Sequence, residues 1–466
     1  MKRLVYLIIV CLLPAGARAQ LSTKSAWMTT TAQQKKAAFQ FAEDYKEFMA
    51  VAKTELLTVK EVKRLAEKAG FRKLEENSNW RPGAKFYDVN RDRAICVIVV
   101  GQNKLTGGAR IIGSHIDSPR IEVKARPLYE RWELALFQTV YHGGIKKYQW
   151  GNVPLALTGR LDKTDGSTQW INVGNQPGEP VFIIPDLAPH VDRQFRNRTA
   201  RDVLKGEELD PLVGSISEDS TSVKQEILQY LKKTYQMTEA DFISAELALV
   251  PATRPADVGF DRGLVGAYGQ DDRLCSYAAT RASLAVEKPP FTTITYLVDN
   301  EETGSNNNTG ARSDYLRSLI HRVLNLEMGG NATEFHVRMV LPKILVLSAD
   351  VTTGIHPQFP SAQEAGNSAK LGQGIAIKRY GRGNDPNSEF TARFRGILEK
   401  HNIPYQTHTY KVDVGGGGTI GGFMSRENME VLDCGVPLLS MHSPYSVSSK
   451  IDIWSFYRAA KGFYEQ

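Results

Sequence analysis

The chain has 466 residues, a formal net charge of +7, and contents of 42% hydrophobic and 23% charged residues. This length favours two domains over a single core, and the composition is ordinary for a soluble globular enzyme. The Lys and Arg residues are dispersed along the chain and form no nucleic-acid-binding motif. The positive charge therefore does not indicate a nucleic-acid partner.

The N-terminal segment has the pattern of a secretory signal. Basic residues precede an apolar run at 4–13, and Ala17-Arg18-Ala19 has the small-x-small pattern of a cleavage site. We expect residues 1–19 to be a signal peptide and the protein to be exported to the periplasm or secreted. The alternative is a membrane anchor, but a bilayer span needs about 20 apolar residues. Cleavage removes three basic residues, which lowers the net charge to 7 − 3 = +4 and leaves no membrane attachment.

Two helices are predicted near the start of the mature chain. Aromatic residues recur at helical spacing within residues 31–53, which predicts an amphipathic helix. Thr58 and Glu61 form a capping-box pattern before a second helical stretch, and Gly70 provides its stop signal.

Apolar runs that predict strands alternate with helical patterns through much of the remaining chain. Several of these runs lead directly into polar or acidic residues, so an α/β sheet with a site along one edge is expected. The strands are predicted at 94–100, 110–114, 293–298 and 343–347, and the helices at 273–286 and 312–325.

The stretch 126–255 differs in its pattern. It contains short strand-like segments, such as 153–161, with Pro and Gly between them, and no group of residues at metal-ligand spacing. We interpret it as a domain inserted between two parts of a catalytic domain, 20–125 and 256–466.

His115 and Asp117 follow the strand predicted at 110–114. In this H-x-D pattern the histidine can bind zinc through one ring nitrogen, while the aspartate orients the ring and raises its basicity. An isolated pattern of this kind also fits a surface loop with a hydrogen-bonded histidine. Further ligands are needed to support a metal site.

Adjacent carboxylates at Glu301 and Glu302 follow the strand predicted at 293–298. Neighbouring acids are costly to bury unless a cation neutralises them. Because successive strand side chains diverge, one glutamate can bind a metal while the other acts as general base on the attacking water. The alternative is a solvated acidic turn.

The remaining candidate ligands are aspartates and a second histidine. Asp271 and Asp272 open a predicted helix; either can bridge two cations, with Asp271 the first candidate, and a helix cap is the alternative. Asp350 and His442 each follow an apolar, strand-like run. Together with the residues above they provide the nitrogen and oxygen ligands that two zinc ions with one shared carboxylate require.

Five motifs, in this order, resemble the aspartyl aminopeptidase and vacuolar aminopeptidase I family of dinuclear zinc peptidases over most of the mature chain. They are Gly113-Ser114-His115-Ile116-Asp117-Ser118-Pro119, Gln270-Asp271-Asp272-Arg273, Asp299-Asn300-Glu301-Glu302-Thr303-Gly304-Ser305, Ser348-Ala349-Asp350 with Ile355-His356-Pro357, and Met441-His442-Ser443. Five motifs in a fixed order argue against a chance match.

The resemblance implies a role for each motif and two Zn²⁺ ions per subunit, for which Mn²⁺ or Co²⁺ could substitute. It assigns His115 and Asp350 to one zinc, Glu302 and His442 to the other, Asp271 to the bridge, Glu301 to the general base, Asp117 to the support of His115, and His356, Lys378 and Tyr380 to substrate binding.

The resemblance also implies the fold class and the assembly. It predicts an α/β protein whose mixed-sheet catalytic domain carries an inserted, mainly β dimerisation domain, with homodimers that assemble into a homododecamer. His190, within 184–190, resembles a family histidine that enters a neighbouring subunit's active site and stabilises the oxyanion. From the sequence alone His190 is an ordinary polar loop residue.

Two segments depart from the family pattern. Residues 141–147 keep only part of a Gly-rich pattern, and Gly415–Gly418 add glycines before a Thr-Ile-Gly core. These departures bear on substrate preference rather than on zinc binding. Lys378 either complements an acidic first residue or is a solvated lysine beside Arg379, so acidic, neutral and hydrophobic first residues all stay open.

The sequence therefore predicts a metalloaminopeptidase that removes single residues from peptides with a free N-terminus. One alternative is a related two-zinc carboxypeptidase or deacylase that uses the same ligands. Another is a catalytically inactive secreted binding domain of the same fold. The presence of Glu301 beside all five candidate ligands argues against the inactive domain.

Overall fold

The computed structural model describes residues 24–218, 221–381 and 384–466. The predicted signal peptide and its cleavage site lie outside these ranges, so they stay predictions. Within these ranges, no helix combines the length and the apolar character that crossing a membrane would require.

Ten α-helices occur in the described residues. They are α1 (Ala26–Thr29), α2 (Ala32–Val51), α3 (Glu55–Lys68), α4 (Val223–Tyr235), α5 (Gln270–Leu284), α6 (Tyr315–Glu327), α7 (Glu334–Val340), α8 (Ser388–Lys400), α9 (Gly421–Arg426) and α10 (Lys450–Tyr464). Helices α2, α5 and α6 correspond to the helices predicted at 31–53, 273–286 and 312–325.

The predicted start of the second helix is wrong. Thr54, not Thr58, caps α3, because its side chain accepts a hydrogen bond from the backbone N–H of Leu57 at 3.3 Å. Thr58 is buried inside the helix, and its hydroxyl donates to the carbonyl of Thr54 at 2.7 Å. Leu56 and Val59 are both buried three residues apart, so packing extends the helix one turn ahead of the capping-box pattern.

Twenty β-strands occur in the same residues. They are β1 (Arg72–Lys73), β2 (Lys85–Asn90), β3 (Ala94–Val99), β4 (Ala109–His115), β5 (Arg120–Arg131), β6 (Leu134–His142), β7 (Leu155–Asp162), β8 (Thr168–Val173), β9 (Leu212–Gly214), β10 (Ala245–Pro251), β11 (Ala256–Val258), β12 (Leu264–Ala267), β13 (Thr292–Val298), β14 (Leu345–Ala349), β15 (Thr352–Thr353), β16 (Ile375–Lys378), β17 (Tyr405–His408), β18 (Glu430–Gly435), β19 (Pro437–Leu439) and β20 (Ser446–Ser449).

A nine-stranded mixed sheet forms the centre of the fold, in the order β1-β2-β3-β13-β4-β14-β18-β16-β17. Its middle strands β13, β4, β14 and β18 are parallel, while β3 and β16 pair antiparallel with their neighbours β13 and β18. The described residues of β3 are fully apolar and buried, as expected for a strand covered on both faces.

Each face of the central sheet has its own core. Ile95, Val97 and Val99 of β3 belong to a core with residues of α2, α5 and α10. The alternate side chains, including Cys96 and Ile98, belong to a second core with residues of α6 and α7. The strand period of two thus divides one apolar run between two helical layers.

A separate six-stranded antiparallel sheet has the order β8-β7-β10-β5-β6-β9. Its strands lie between Arg120 and Pro251 in the sequence, and it has a third core of its own. A smaller sheet, β11-β12-β20-β19-β15, completes the fold. The mixed sheet and the separate antiparallel sheet confirm the predicted fold class, while the domain boundaries and the dimerisation role stay predictions.

Candidate metal centre

The candidate ligands meet at the carboxyl ends of the central parallel strands. Strand β4 ends at His115, which is paired with Val298, the last residue of β13. Asp350 follows β14, the neighbour of β4 on its other side. Parallel strands place their carboxyl ends at one sheet edge, so residues distant in sequence converge there.

His115 has its two ring nitrogens in different environments. Its Nδ1 lies 3.1 Å from the backbone oxygen of Asp117 and 3.3 Å from that residue's Oδ1. Both atoms accept only, so Nδ1 is the donor. Its Nε2 points the other way, 3.1 Å from Asp271 Oδ1 and 4.0 Å from Asp350 Oδ1. This orientation suits zinc binding through Nε2, because the hydrogen bond from Nδ1 fixes the ring.

His442 repeats the arrangement from the loop between β19 and β20. Its Nδ1 donates to the backbone oxygen of Gly144 at 2.8 Å. Its Nε2 lies 3.1 Å from Asp271 Oδ2 and 3.3 Å from Glu302 Oε1. The two oxygens of Asp271 therefore face two different histidines.

Among the described residues, Asp272 forms no hydrogen bond or ion pair with either histidine. Its side chain accepts hydrogen bonds from the Ser114 hydroxyl and, at 3.1 Å, from the backbone N–H of Val351. An oxygen of Asp272 does lie close enough to His115 and Asp350 to share an ion with them. However, both of its oxygens already have donors, whereas Asp271 contacts both histidines, so the contacts favour Asp271 as the bridge.

Asp117 holds the acidic turn in place. Its Oδ1 accepts from the backbone N–H of Glu301 at 3.0 Å, and its Oδ2 accepts from that of Glu302 at 3.2 Å. His142 donates to the same Oδ2 at 2.9 Å. Asp117 thus fixes both the ring of His115 and the segment that carries the two glutamates.

The pKa shifts describe a centre with more negative than positive groups. Burial raises the pKa of Glu301 to about 8 and that of Asp350 to about 6. Burial disfavours the charged form of His442, but Asp271 and Glu302 raise the pKa of that histidine to about 11. Carboxylates that resist ionisation beside histidines that hold protons indicate a demand for positive charge.

The residues present fit zinc. Histidine and carboxylate atoms form three groups, and within each group the atoms lie within 4.8 Å of one another. The groups are His115 with Asp272 and Asp350, His115 with Glu301 and Glu302, and Asp271 with Glu302 and His442. Within the described residues, the buried Oε1 of Glu302 has no hydrogen-bond partner, although His442 Nε2 is nearby. Nitrogen and oxygen atoms converging in this way match the ligands that zinc takes.

The other candidate residues lie at varied distances from this centre. Lys378 is buried; its ammonium donates to the Val351 oxygen at 2.8 Å and lies 3.6 Å from Asp350 Oδ2. The alternative of a solvated lysine is therefore wrong. His190 and Tyr380 are exposed, and His356 is half-buried. Among the described residues, no hydrogen bond or ion pair joins these last three to the ligands, so their roles stay predictions.

Sequence reasoning missed His142 and Gly144 as parts of this site. Both lie in the segment 141–147, where the sequence shows only an incomplete Gly-rich pattern. A histidine followed by two glycines at a strand end was the available signal.

The chain resembles known peptidases over nearly its whole length. The family described as "Aminopeptidase I zinc metalloprotease (M18)" matches residues 48–464. A "Probable M18 family aminopeptidase 1" from Borrelia garinii is 38% identical over 458 residues, covering 96% of this chain and all of that protein.

Solved structures show the same likeness. The crystal structure of an M18 family aminopeptidase from Thermotoga maritima is 39% identical, with a TM-score of 0.91, covering 96% of this chain and 100% of that one. A dodecamer structure of mApe1 from S. cerevisiae matches at 23% identity with a TM-score of 0.74, covering 91% of this chain and 96% of that one. The second likeness shows the fold alone.

Proposed function

Since the chain belongs to the M18 aminopeptidase family of zinc metalloproteases and is a peptide hydrolase, we propose that it removes single N-terminal residues with two zinc ions and Glu301 as general base. The observation that carries this proposal is the position of Asp271. Its two carboxylate oxygens each lie 3.1 Å from the Nε2 atom of a different histidine.

The proposed ligands divide into two sets that share one residue. His115 and Asp350 would hold one ion, and His442 and Glu302 would hold the other, with Asp271 common to both sets. Each histidine donates from Nδ1 to an oxygen behind it, which leaves the Nε2 lone pair for the ion. Zinc, when bound, supplies Lewis acidity to a site of this kind.

Glu301 is suited to move a proton. It shares a close cluster with His115 and Glu302, yet its carboxylate makes no hydrogen bond or ion pair with any other described residue. The positive charge of bound zinc would favour the ionised form of Glu301, and this carboxylate would then take a proton from the attacking water and deliver it to the leaving amine. Such general acid–base catalysis contributes about 10²–10⁴ in rate.

The acidic surroundings also support selection of a free N-terminus. A peptide's α-ammonium is attracted by a centre rich in carboxylates, whereas a blocked N-terminus carries no charge to recognise. The contacts of Lys378 favour a preference for non-acidic first residues, because its ammonium is already paired with Asp350 and with the Val351 oxygen. A panel of chromogenic aminoacyl amides tests this assignment; a strict preference for Asp or Glu would contradict it.

The assembly and the location of the protein are proposed on separate grounds. The mApe1 relative forms a dodecamer. We propose the same assembly for this chain, in which exposed His190 enters the active site of a neighbouring subunit. Light scattering and the activity of His190→Ala test this assembly. Export after cleavage before Gln20 rests on the N-terminal pattern, and N-terminal sequencing of the natural protein tests it.

The decisive experiment replaces Glu301 with Gln and measures zinc content and turnover together. Zinc content is expected to stay at two ions per subunit while kcat falls about 10²–10⁴-fold. Unchanged turnover would reject Glu301 as the base. Parallel assays on free and N-acetylated peptides separate an aminopeptidase from a deacylase or carboxypeptidase, because cleavage of blocked peptides alone would contradict the proposal.

A further inference from the structure

A three-residue segment from the antiparallel sheet reaches both halves of the metal centre. Strand β6 ends at His142, and Gly143 and Gly144 follow. His142 Nε2 lies 2.9 Å from Asp117 Oδ2, and the Gly144 backbone oxygen lies 2.8 Å from His442 Nδ1. The segment 142–144 thus supports His442 by a direct hydrogen bond and supports His115 through Asp117.

The hydrogen bond from His142 to Asp117 helps to stabilise a buried carboxylate. Asp117 is fully buried, and its carboxylate accepts from His142 and from the backbone N–H groups of Glu301 and Glu302. Its Oδ1 also lies 3.3 Å from His115 Nδ1. A buried carboxylate that loses one donor keeps its charge without full compensation, so loss of the His142 donor disturbs every group that Asp117 positions.

The other ring nitrogen of His142 also faces a carboxylate. Its Nδ1 lies 3.5 Å from Glu122 Oε1 on the neighbouring strand β5. Glu122 in turn pairs with Arg120 at 2.8 Å, and Arg120 lies 3.1 Å from Glu55 of α3. The imidazole thus lies between the Asp117 carboxylate and the Glu122–Arg120 ion pair.

A side chain at Gly143 would be crowded and strained. Its φ is +72°, and a Cβ there would lie 3.1 Å from Cβ of Glu302 and 3.2 Å from Cγ of Pro119. A side chain here would press on Glu302 and adopt a strained left-handed backbone, so glycine is favoured. The segment contacts or supports both proposed histidine ligands and one proposed carboxylate ligand.

We propose that residues 142–144 form a clip that orients the ligands of both zinc ions, with His142 as a positioning residue. The clip makes zinc affinity depend on the antiparallel sheet, although that sheet supplies no ligand itself. This inference rests on the two-zinc site proposed above. Residues behind metal ligands contribute about 10–100-fold to metal affinity or activity, and we expect His142 to fall within that range.

Two amide substitutions test the clip. The side-chain nitrogen of Gln extends to the place of histidine Nε2 and can donate to Asp117, whereas the shorter Asn reaches only the place of Nδ1. His142→Gln is expected to keep zinc affinity within about threefold of the wild type, and His142→Asn to lose about 10–100-fold. Affinity is measured by competition with a chelator, with kcat and KM recorded alongside.

The outcomes separate the clip from the metal site. A wild-type protein that binds no zinc would reject the two-zinc proposal itself. Wild-type affinity in His142→Asn, or equal losses in both variants, would overturn only the clip. Should His142→Asn fail to fold, His142→Gln decides alone: a loss beyond tenfold in a folded protein overturns the proposal. A kcat decrease in His142→Asn with KM nearly unchanged supports ligand positioning over a general loss of structure.

Discussion

The two halves of the proposed metal centre are built in different ways. In the buried half, His115 ends one central strand and Asp350 follows the adjacent strand. In the open half, His442 lies in a loop and has a φ of +63°, and Glu302 lies in a short helical turn. The side chain of His115 is 2% exposed and that of His442 is 34% exposed.

This difference shows what fixes each half. Hydrogen bonds between strands set the buried half, because neighbouring strands hold their ends in register. Loop conformation and the contact with Gly144 set the open half. We therefore expect the open half to exchange its ion faster and to respond more to changes in its surroundings.

The largest effect is expected from the residue that joins the halves. Asp271→Asn removes a negative charge shared by both ions and should lower kcat by more than about 100-fold, with loss of zinc. Asp272→Asn is the matched variant, since Asp272 is bonded to Ser114 and Val351 instead. Zinc content by mass spectrometry checks both. Retention of two ions in Asp271→Asn together with their loss in Asp272→Asn would assign the bridge to Asp272.

Single histidine substitutions test the difference between halves directly. We expect the wild type to release zinc to a chelator in a fast and a slow phase. His442→Ala should lack the fast phase and keep one slowly released ion, because its buried half stays intact. His115→Ala should lack the slow phase. Stopped-flow release curves measure both; identical curves for the two variants would remove the distinction.

Acid is expected to lower the stability of the folded protein through a histidine on the strand paired with Lys378. His408, on β17, is buried, and burial followed by the charge of Lys378 lowers its pKa to about 4. An unfolded histidine takes up a proton below about pH 6.5, whereas the folded one does not until about pH 4. The folded state therefore loses stability as pH falls through this window, by up to about 3 kcal/mol.

The variant His408→Asn checks this pH effect. Asn can still accept the hydrogen bond that the backbone N–H of Ala369 donates to His408 Nδ1, but it does not titrate. Denaturant unfolding of zinc-free protein at pH 7 and pH 4 gives the comparison. The free energy of unfolding of the variant should decrease less than that of the wild type; equal decreases would contradict the assignment.

The smallest effect is expected at the glycines beside the open half. Gly143→Ala places a Cβ 3.1 Å from Glu302 and forces a left-handed residue, at a cost of about 1–3 kcal/mol. Gly144→Ala is the control, since its nearest neighbour, His442 Nδ1, is at an ordinary 3.8 Å. Zinc release should accelerate in Gly143→Ala alone. Equal release rates in both variants would show that this approach does not constrain Glu302.

The sequence was informative wherever chemistry followed a regular strand. His115 and Asp350 come at or just after predicted strands, and the sheet order brought them together as expected. The sequence also indicates the acidic pair Glu301-Glu302 as a candidate, because two adjacent acids after an apolar run are unusual. The buried half of the centre was therefore largely predictable.

Contacts between sheets were not predictable in the same way. His142 carries no pattern that links it to Asp117, because their partnership depends on how the antiparallel sheet packs on the central one. Within the central sheet, the pairing of Lys378 on β16 with Asp350 after β14 was not predictable either, and it contradicts the solvated alternative. Local capping signals also failed at Thr58, where buried Leu56 extended α3.

Anomalous diffraction at the zinc edge from crystals of the zinc-loaded protein would locate the two proposed ions. We expect two zinc peaks per subunit, one contacting His115 and Asp350, the other contacting His442 and Glu302, with an oxygen of Asp271 on each. A single peak, or two peaks that do not share Asp271, would contradict this expectation.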